Sequence, residues 1–147
     1  MSVTVGKLIE RCRALLQLEQ LDGAHGHDRE IDNPDVSSPG LALAGYVGRF
    51  TAQRVQVLGE TEITYLSALG EVERSRILSQ FFAFPIPCVI ITKGLEAVTP
   101  LLDLASKAQI PIFRSPLKTA EVYRREGLGP DEGPARVAPD RRLVGPR

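Results

Sequence analysis

Pro87-Cys88-Val89-Ile90-Ile91-Thr92-Lys93-Gly94 is the stretch on which the fold turns. From Cys88 to Thr92 the side chains are small, apolar or β-branched without interruption. A strand with no polar alternation must be buried on both faces, which is the habit of a central parallel strand. Two neighbours read the same way. Upstream, Arg54-Val55-Gln56-Val57-Leu58 alternates polar and apolar residues before Gly59 breaks it. Downstream, Ile110-Pro111-Ile112-Phe113-Arg114 is a second apolar run, with Pro111 suited to a strand entry or an edge. These three stretches, 54–58, 88–92 and 110–114, are the expected principal strands.

Helical spacing fills the intervals. Ile63, Leu66 and Leu69 recur at helical period, Gly70 interrupts, and a second helix over about 71–82 closes on Phe81 and Phe82. Thr99-Pro100 reads as an N-cap with proline at the first helical position, ahead of Leu101, Leu104, Ala105 and Ala108. Ser115-Pro116 repeats that start for a last helix, which Gly127 would end. At the other end, Val3-Thr4-Val5 reads as a short strand leading into a helix with Leu8, Cys12, Leu15 and Leu16 on one face. Residues 22–40 carry loop chemistry around Ile31. Strand and helix in alternation imply right-handed crossovers and a three-layer α/β/α domain with a mostly parallel sheet.

Composition bounds the rest. The chain has 147 residues, 43% hydrophobic and 24% charged, and eighteen basic residues balance eighteen acidic ones. That neutrality argues against a nucleic-acid module or an anionic-membrane anchor. No run approaches the roughly 18 apolar residues of a spanning helix, and no signal-peptide pattern opens the chain, so a soluble cytoplasmic protein is expected. Cys12 and Cys88 have no close-spaced partner, which excludes a disulfide scaffold and a four-thiolate zinc site. One domain over 1–128 is expected. Residues 129–147 hold four of the eleven prolines, three glycines and few apolar groups, the composition of a disordered tail. Arg136, Arg141, Arg142 and Arg147 read as solvated there, ahead of a partner-binding arm.

Parallel sheets place ligands outside the carboxyl ends of their strands. Here those ends carry Lys93, Gly94, Arg114 and Ser115, which could hold a small anion; the plainer reading is that they cap helices on a solvated rim. GxxxxGK[ST] and GxGxxG are both missing, so no turn of consecutive amides is written for a nucleotide phosphate. His25-Gly26-His27-Asp28 offers two imidazoles and a carboxylate, but a glycine-flanked loop fixes such ligands poorly, and solvated histidines are expected. Glu71 and Glu73 read as a solvated helix face, and Tyr46, Tyr65 and Tyr123 are too scattered for base stacking. No catalytic, cofactor or metal position follows from these patterns.

The residue strings carry more. Ser38-Pro39-Gly40-Leu41-Ala42-Leu43-Ala44-Gly45-Tyr46, then Arg54-Val55-Gln56-Val57-Leu58-Gly59, Glu62 and Tyr65-Leu66, resemble the N-terminal domain of bacterial HPr kinase/phosphorylase. Pro87 to Glu96, Ile110 to Ser115 and Thr119 continue the resemblance in register, over about residues 3–125. Ser38 and Ala42 depart from an arginine and a glutamate usual in the family. The resemblance implies a fold similar to the N-terminal domain of the Mur ligases. It also implies an enzyme that phosphorylates a serine of the phosphocarrier HPr and reverses the step by phosphorolysis, in carbon catabolite control. The family uses ATP or pyrophosphate with Mg²⁺, bound by a C-terminal P-loop domain, and assembles as a homo-oligomer, typically a hexamer. That catalytic domain is not expected on this chain, so no catalytic residue carries over. What is expected is a non-catalytic assembly or regulatory domain whose partners are the catalytic domain and HPr. The alternative is a stand-alone module binding a small anion at the strand ends.

Overall fold

The computed structural model describes residues 3–21, 26–31, 36–37, 39–44 and 54–126. In chain order the elements are β1 (Val3–Thr4), α1 (Val5–Leu16), β2 (Glu19–Gln20), β3 (Glu30–Ile31), β4 (Val36–Ser37), α2 (Gly40–Leu43) and β5 (Val55–Leu58). There follow α3 (Glu60–Ala68), α4 (Glu71–Phe81), β6 (Val89–Ile91), α5 (Leu101–Lys107), β7 (Ile112–Arg114) and α6 (Thr119–Glu126). The main sheet has the order β2-β7-β6-β5-β4. Strands β4 to β7 are parallel and β2 runs antiparallel along β7. A small antiparallel pair, β1 with β3, stands apart from it.

Register explains the two-sided burial that the 88–92 run predicts. Val57, Ile90 and Phe113 align across β5, β6 and β7, and so do Leu58, Ile91 and Arg114. Because successive side chains point to opposite faces, Val57, Ile90 and Phe113 join one apolar cluster with Val5, Leu8, Ile9, Cys12 and Leu16 of α1 and Val122 of α6. Leu58, Val89, Ile91 and Ile112 join the other, with Ile63 and Leu66 of α3, Leu78 and Phe81 of α4, and Leu101 and Ala105 of α5. The outcome is the expected helix–sheet–helix sandwich.

Its handedness follows from strand order. The parallel strands are laid down consecutively, β4 to β5 to β6 to β7, so right-handed crossovers put α2 to α5 on one face. The other face is covered by α1 and α6, the first and last helices described.

Several local expectations change. Residues 22–40 are not all loop: β3 and β4 lie within them, and β4 is the parallel edge strand beside β5. Leu15 leaves the core at 44% exposure, while Val5 and Ile9 enter it, because the buried stripe of α1 runs through 5, 8/9, 12 and 16. Thr99 does not cap α5: Pro100 holds the N-cap position, and the Thr99 carbonyl instead accepts from Arg74. Ser115-Pro116 does not open α6, which starts at Thr119 because Ser115 is tied elsewhere. Each principal strand is shorter than expected by a residue or more. Gly127 and the 129–147 tail lie outside the described residues.

Candidate functional site

The carboxyl ends of β5, β6 and β7 are the place where this topology would bind a ligand. After β6 the chain turns through Lys93 and Gly94, both in the left-handed region at φ 58 and φ 62. The lysine has no glycine-like freedom there, and its neighbours hold it. The Lys93 N–H donates to the Leu117 carbonyl at 2.8 Å, the Gly94 N–H to the Ser115 carbonyl at 2.9 Å, and the Leu95 N–H to the Thr92 carbonyl at 3.1 Å. Three successive amides that could wrap an anion are therefore satisfied by the chain's own carbonyls.

The side chains are engaged too. Lys93 Nζ donates to Glu60 Oε1 at 2.7 Å. That hydrogen bond, and then the ammonium charge, hold the Glu60 carboxyl below the usual glutamate range. Arg114 pairs with Glu19 across the β2–β7 edge at 3.5 Å. Ser115 is fully buried; its hydroxyl donates to the Leu16 carbonyl at 2.7 Å and accepts from the Leu117 N–H at 3.1 Å. Of the four candidate residues, Gly94 and Ser115 are bonded to each other with Lys93 alongside, while the Arg114 guanidinium is paired at the sheet edge.

Topology bears on the same place. Ligand crevices in open parallel sheets form where adjacent loops lead to opposite faces. Strands β4 to β7 succeed one another in a single direction, but β6 leads to α5 on one face and β7 to α6 on the other. The two loops part at Lys93–Gly94 and Ser115–Leu117, where they are hydrogen-bonded to each other.

Two further residues, Glu62 and Thr119, stand at this end of the sheet. Glu62 is buried at 8% exposure and accepts the Gly59 N–H at 2.8 Å. Its signal was legible: a glutamate three places after an N-cap is the second half of a capping box, here closing on Gly59. Thr119 had no such signal. Its hydroxyl meets that of Thr92 at 2.7 Å, a pairing across 27 positions of sequence.

His27 is not a solvated loop side chain. Its Nε2 bonds to Gln20 Oε1 at 2.7 Å, and its ring lies 6.2 Å from that of Phe113. His25 lies outside the described residues, and among those described no group of three or more His, Cys, Asp or Glu side chains is placed to hold a metal. Cys12 and Cys88 are buried and unbridged in the cluster beneath α1. A cleft of about 650 Å³ runs beside α1, where Glu10 offsets Lys7 and Arg13.

With this geometry in hand, sequence comparison is decisive. The family profile described as "HPr Serine kinase N terminus" matches residues 3–126. The chain belongs to that family. Among curated relatives, the HPr kinase/phosphorylase of Halalkalibacterium halodurans is 35% identical over 120 residues, which is 82% of this chain and 37% of the relative. Those of Shouchella clausii and Chloroherpeton thalassium are 33% and 36% identical, covering 84% and 78% of this chain and 38% and 34% of the relatives. The chain thus spans little more than a third of the length of the curated relatives it matches, and the matching part is their N-terminal domain. Among solved structures, the CBS and DRTGG domains of the regulatory region of Clostridium perfringens pyrophosphatase, complexed with diadenosine tetraphosphate, align with a TM-score of 0.59 at 13% identity. That alignment covers 84% of this chain and 48% of the other, and it is a likeness of fold.

Proposed function

We propose that this chain is the non-catalytic, assembly and regulatory N-terminal module of an HPr kinase/phosphorylase. In that reading the whole protein moves a phosphoryl group to and from a serine of HPr in the cytoplasm. ATP or pyrophosphate with Mg²⁺ is held by a C-terminal catalytic domain, and homo-oligomer contacts are shared between the domains. One observation carries the non-catalytic part: the strand-end amides of Lys93, Gly94 and Leu95 all donate to carbonyls of the chain. Phosphoryl transfer rests on positioning and charge stabilisation of the phosphate oxygens, and a turn whose donors are spent supplies neither. Membership of the HPr kinase N-terminal family supports the assignment to this enzyme, and a helix long and apolar enough to cross a membrane is absent among the described residues.

The test is transfer of label from γ-labelled ATP to purified HPr with Mg²⁺. The 147-residue chain alone gives no labelled HPr, whereas a full-length relative does. A version of that relative without its matching N-terminal third retains transfer but changes its assembly state by light scattering. Label on HPr from the 147-residue chain alone would overturn the reading.

A further inference from the structure

The segment between β7 and α6 is tied down by a chain of hydrogen bonds, with Leu117 packed against the cluster beneath α1. The Leu117 carbonyl takes the Lys93 N–H, the Leu117 N–H goes to Ser115 Oγ, and Ser115 Oγ in turn donates to the Leu16 carbonyl of α1. The Thr119 hydroxyl closes on Thr92 at 2.7 Å, directly above Gly59. Gly59 makes room for it: a Cβ there would stand 2.5 Å from Thr119 Oγ1, although the backbone at φ −101 would accept any residue. Apolar anchoring is narrower. Leu117 packs partly buried against the α1 cluster, Val122 is the one fully buried side chain described in α6, and Lys118 before the helix and Ala120 and Arg124 within it are exposed. An element held by two apolar side chains and a few polar contacts at one end, on a sheet buried from both sides, belongs to the low-stability end of a fold.

We infer that residues 115–126 form a latch, keyed by the Thr92–Thr119 hydroxyl pair, that opens as one unit while the parallel sheet stays closed. Because α6 leads on to residue 127, the latch passes its position to whatever segment follows. This regulatory sense rests on the module reading above; the mechanics do not.

Native-state amide hydrogen exchange on the 147-residue chain tests it. The Lys93 amide, far from α6 in sequence, exchanges together with the amides of α6, and this group exchanges faster than Val57 and Ile90. Thr119→Val removes one hydroxyl contact and speeds the group by about threefold to tenfold, leaving Val57 and Ile90 unchanged. Exchange of α6 only together with the sheet overturns the latch, as does a Thr119→Val effect that is absent or uniform. A mutant cycle gives a second reading. Gly59→Ala speeds the α6 group in the native background, but in Thr119→Ala, where the next contact is at 3.5 Å, it has little effect. Additive effects of the two substitutions overturn the proposal. Failure of the phosphoryl-transfer experiment would leave these exchange rates untouched, so the two ideas fail separately.

Discussion

The two faces of the sheet are built differently. One is covered by α2 to α5, each lying between consecutive strands in the chain, so its apolar cluster joins neighbours in sequence. The other is covered by α1 and α6, and its cluster joins Leu8 and Cys12 to Val122 across most of the chain. The first face also carries a polar tie. Arg74 donates to the Leu66 and Leu69 carbonyls at 2.8 Å, to Ser67 at 3.3 Å and to Thr99 at 3.1 Å, fastening the end of α3 to the entry of α5. The second face has its hydroxyl and carbonyl contacts at the start of α1, where the Val5 and Gly6 N–H groups donate to the Arg29 and His27 carbonyls at 2.8 Å, and at the start of α6. Equal burial can thus rest on unequal support: one layer is secured along its length, the other at its ends.

Three measurements bear on that contrast. The largest effect belongs to Phe113→Ala, which empties the ring position between His27 and the α1–α6 face and costs about 3–5 kcal/mol in urea unfolding. Hydrogen exchange in that variant rises first in α1 and α6; a rise spread evenly over both layers would show a single cooperative unit and break the comparison. Arg74→Met keeps an unbranched stem but leaves the carbonyls at the end of α3 without their donor, at a cost of about 1–3 kcal/mol. Its exchange signature falls on α3 to α5, and a signature on α1 or α6 contradicts the division. The smallest effect is acid titration. Glu60 and Glu73 both have carboxyls held below their usual range, by Lys93 and by Arg76, and both sit on the α3–α4 layer. A lowered carboxyl pKa contributes stability above the ordinary glutamate range that is lost as pH falls through the folded value. Acid therefore loosens α3 and α4 slightly before α1, and Glu60→Gln flattens that slope. Both pairs are solvent-exposed, so salt weakens the effect.

The strands of the centre were legible because burial on both faces writes itself into residue type: Val89, Ile90 and Ile91 have no polar alternative among them. The edges were not. Strand β4 is Val36–Ser37 inside a stretch of Asn, Asp, Ser and Pro, and two residues carry no period to recognise. The candidate anion residues were found by a rule about strand ends, and that rule depends on strand order, which no local pattern encodes. Ser115 shows the limit most plainly. It read as a helix cap because proline follows it, whereas its hydroxyl is committed to Leu16, 99 positions away.

The cover supplied by α1 and α6 has a consequence for a chain still leaving the ribosome. Helix α1 emerges forty to a hundred positions ahead of its principal strand partners in β5, β6 and β7, and α6 emerges after all three. Until then Val57, Ile90 and Phe113 lack part of their roof, while the layer of α3 and α4 can already form against β5 and β6. Long-range closure of this kind slows folding and leaves apolar surface exposed during synthesis, so half of the sandwich waits on α6.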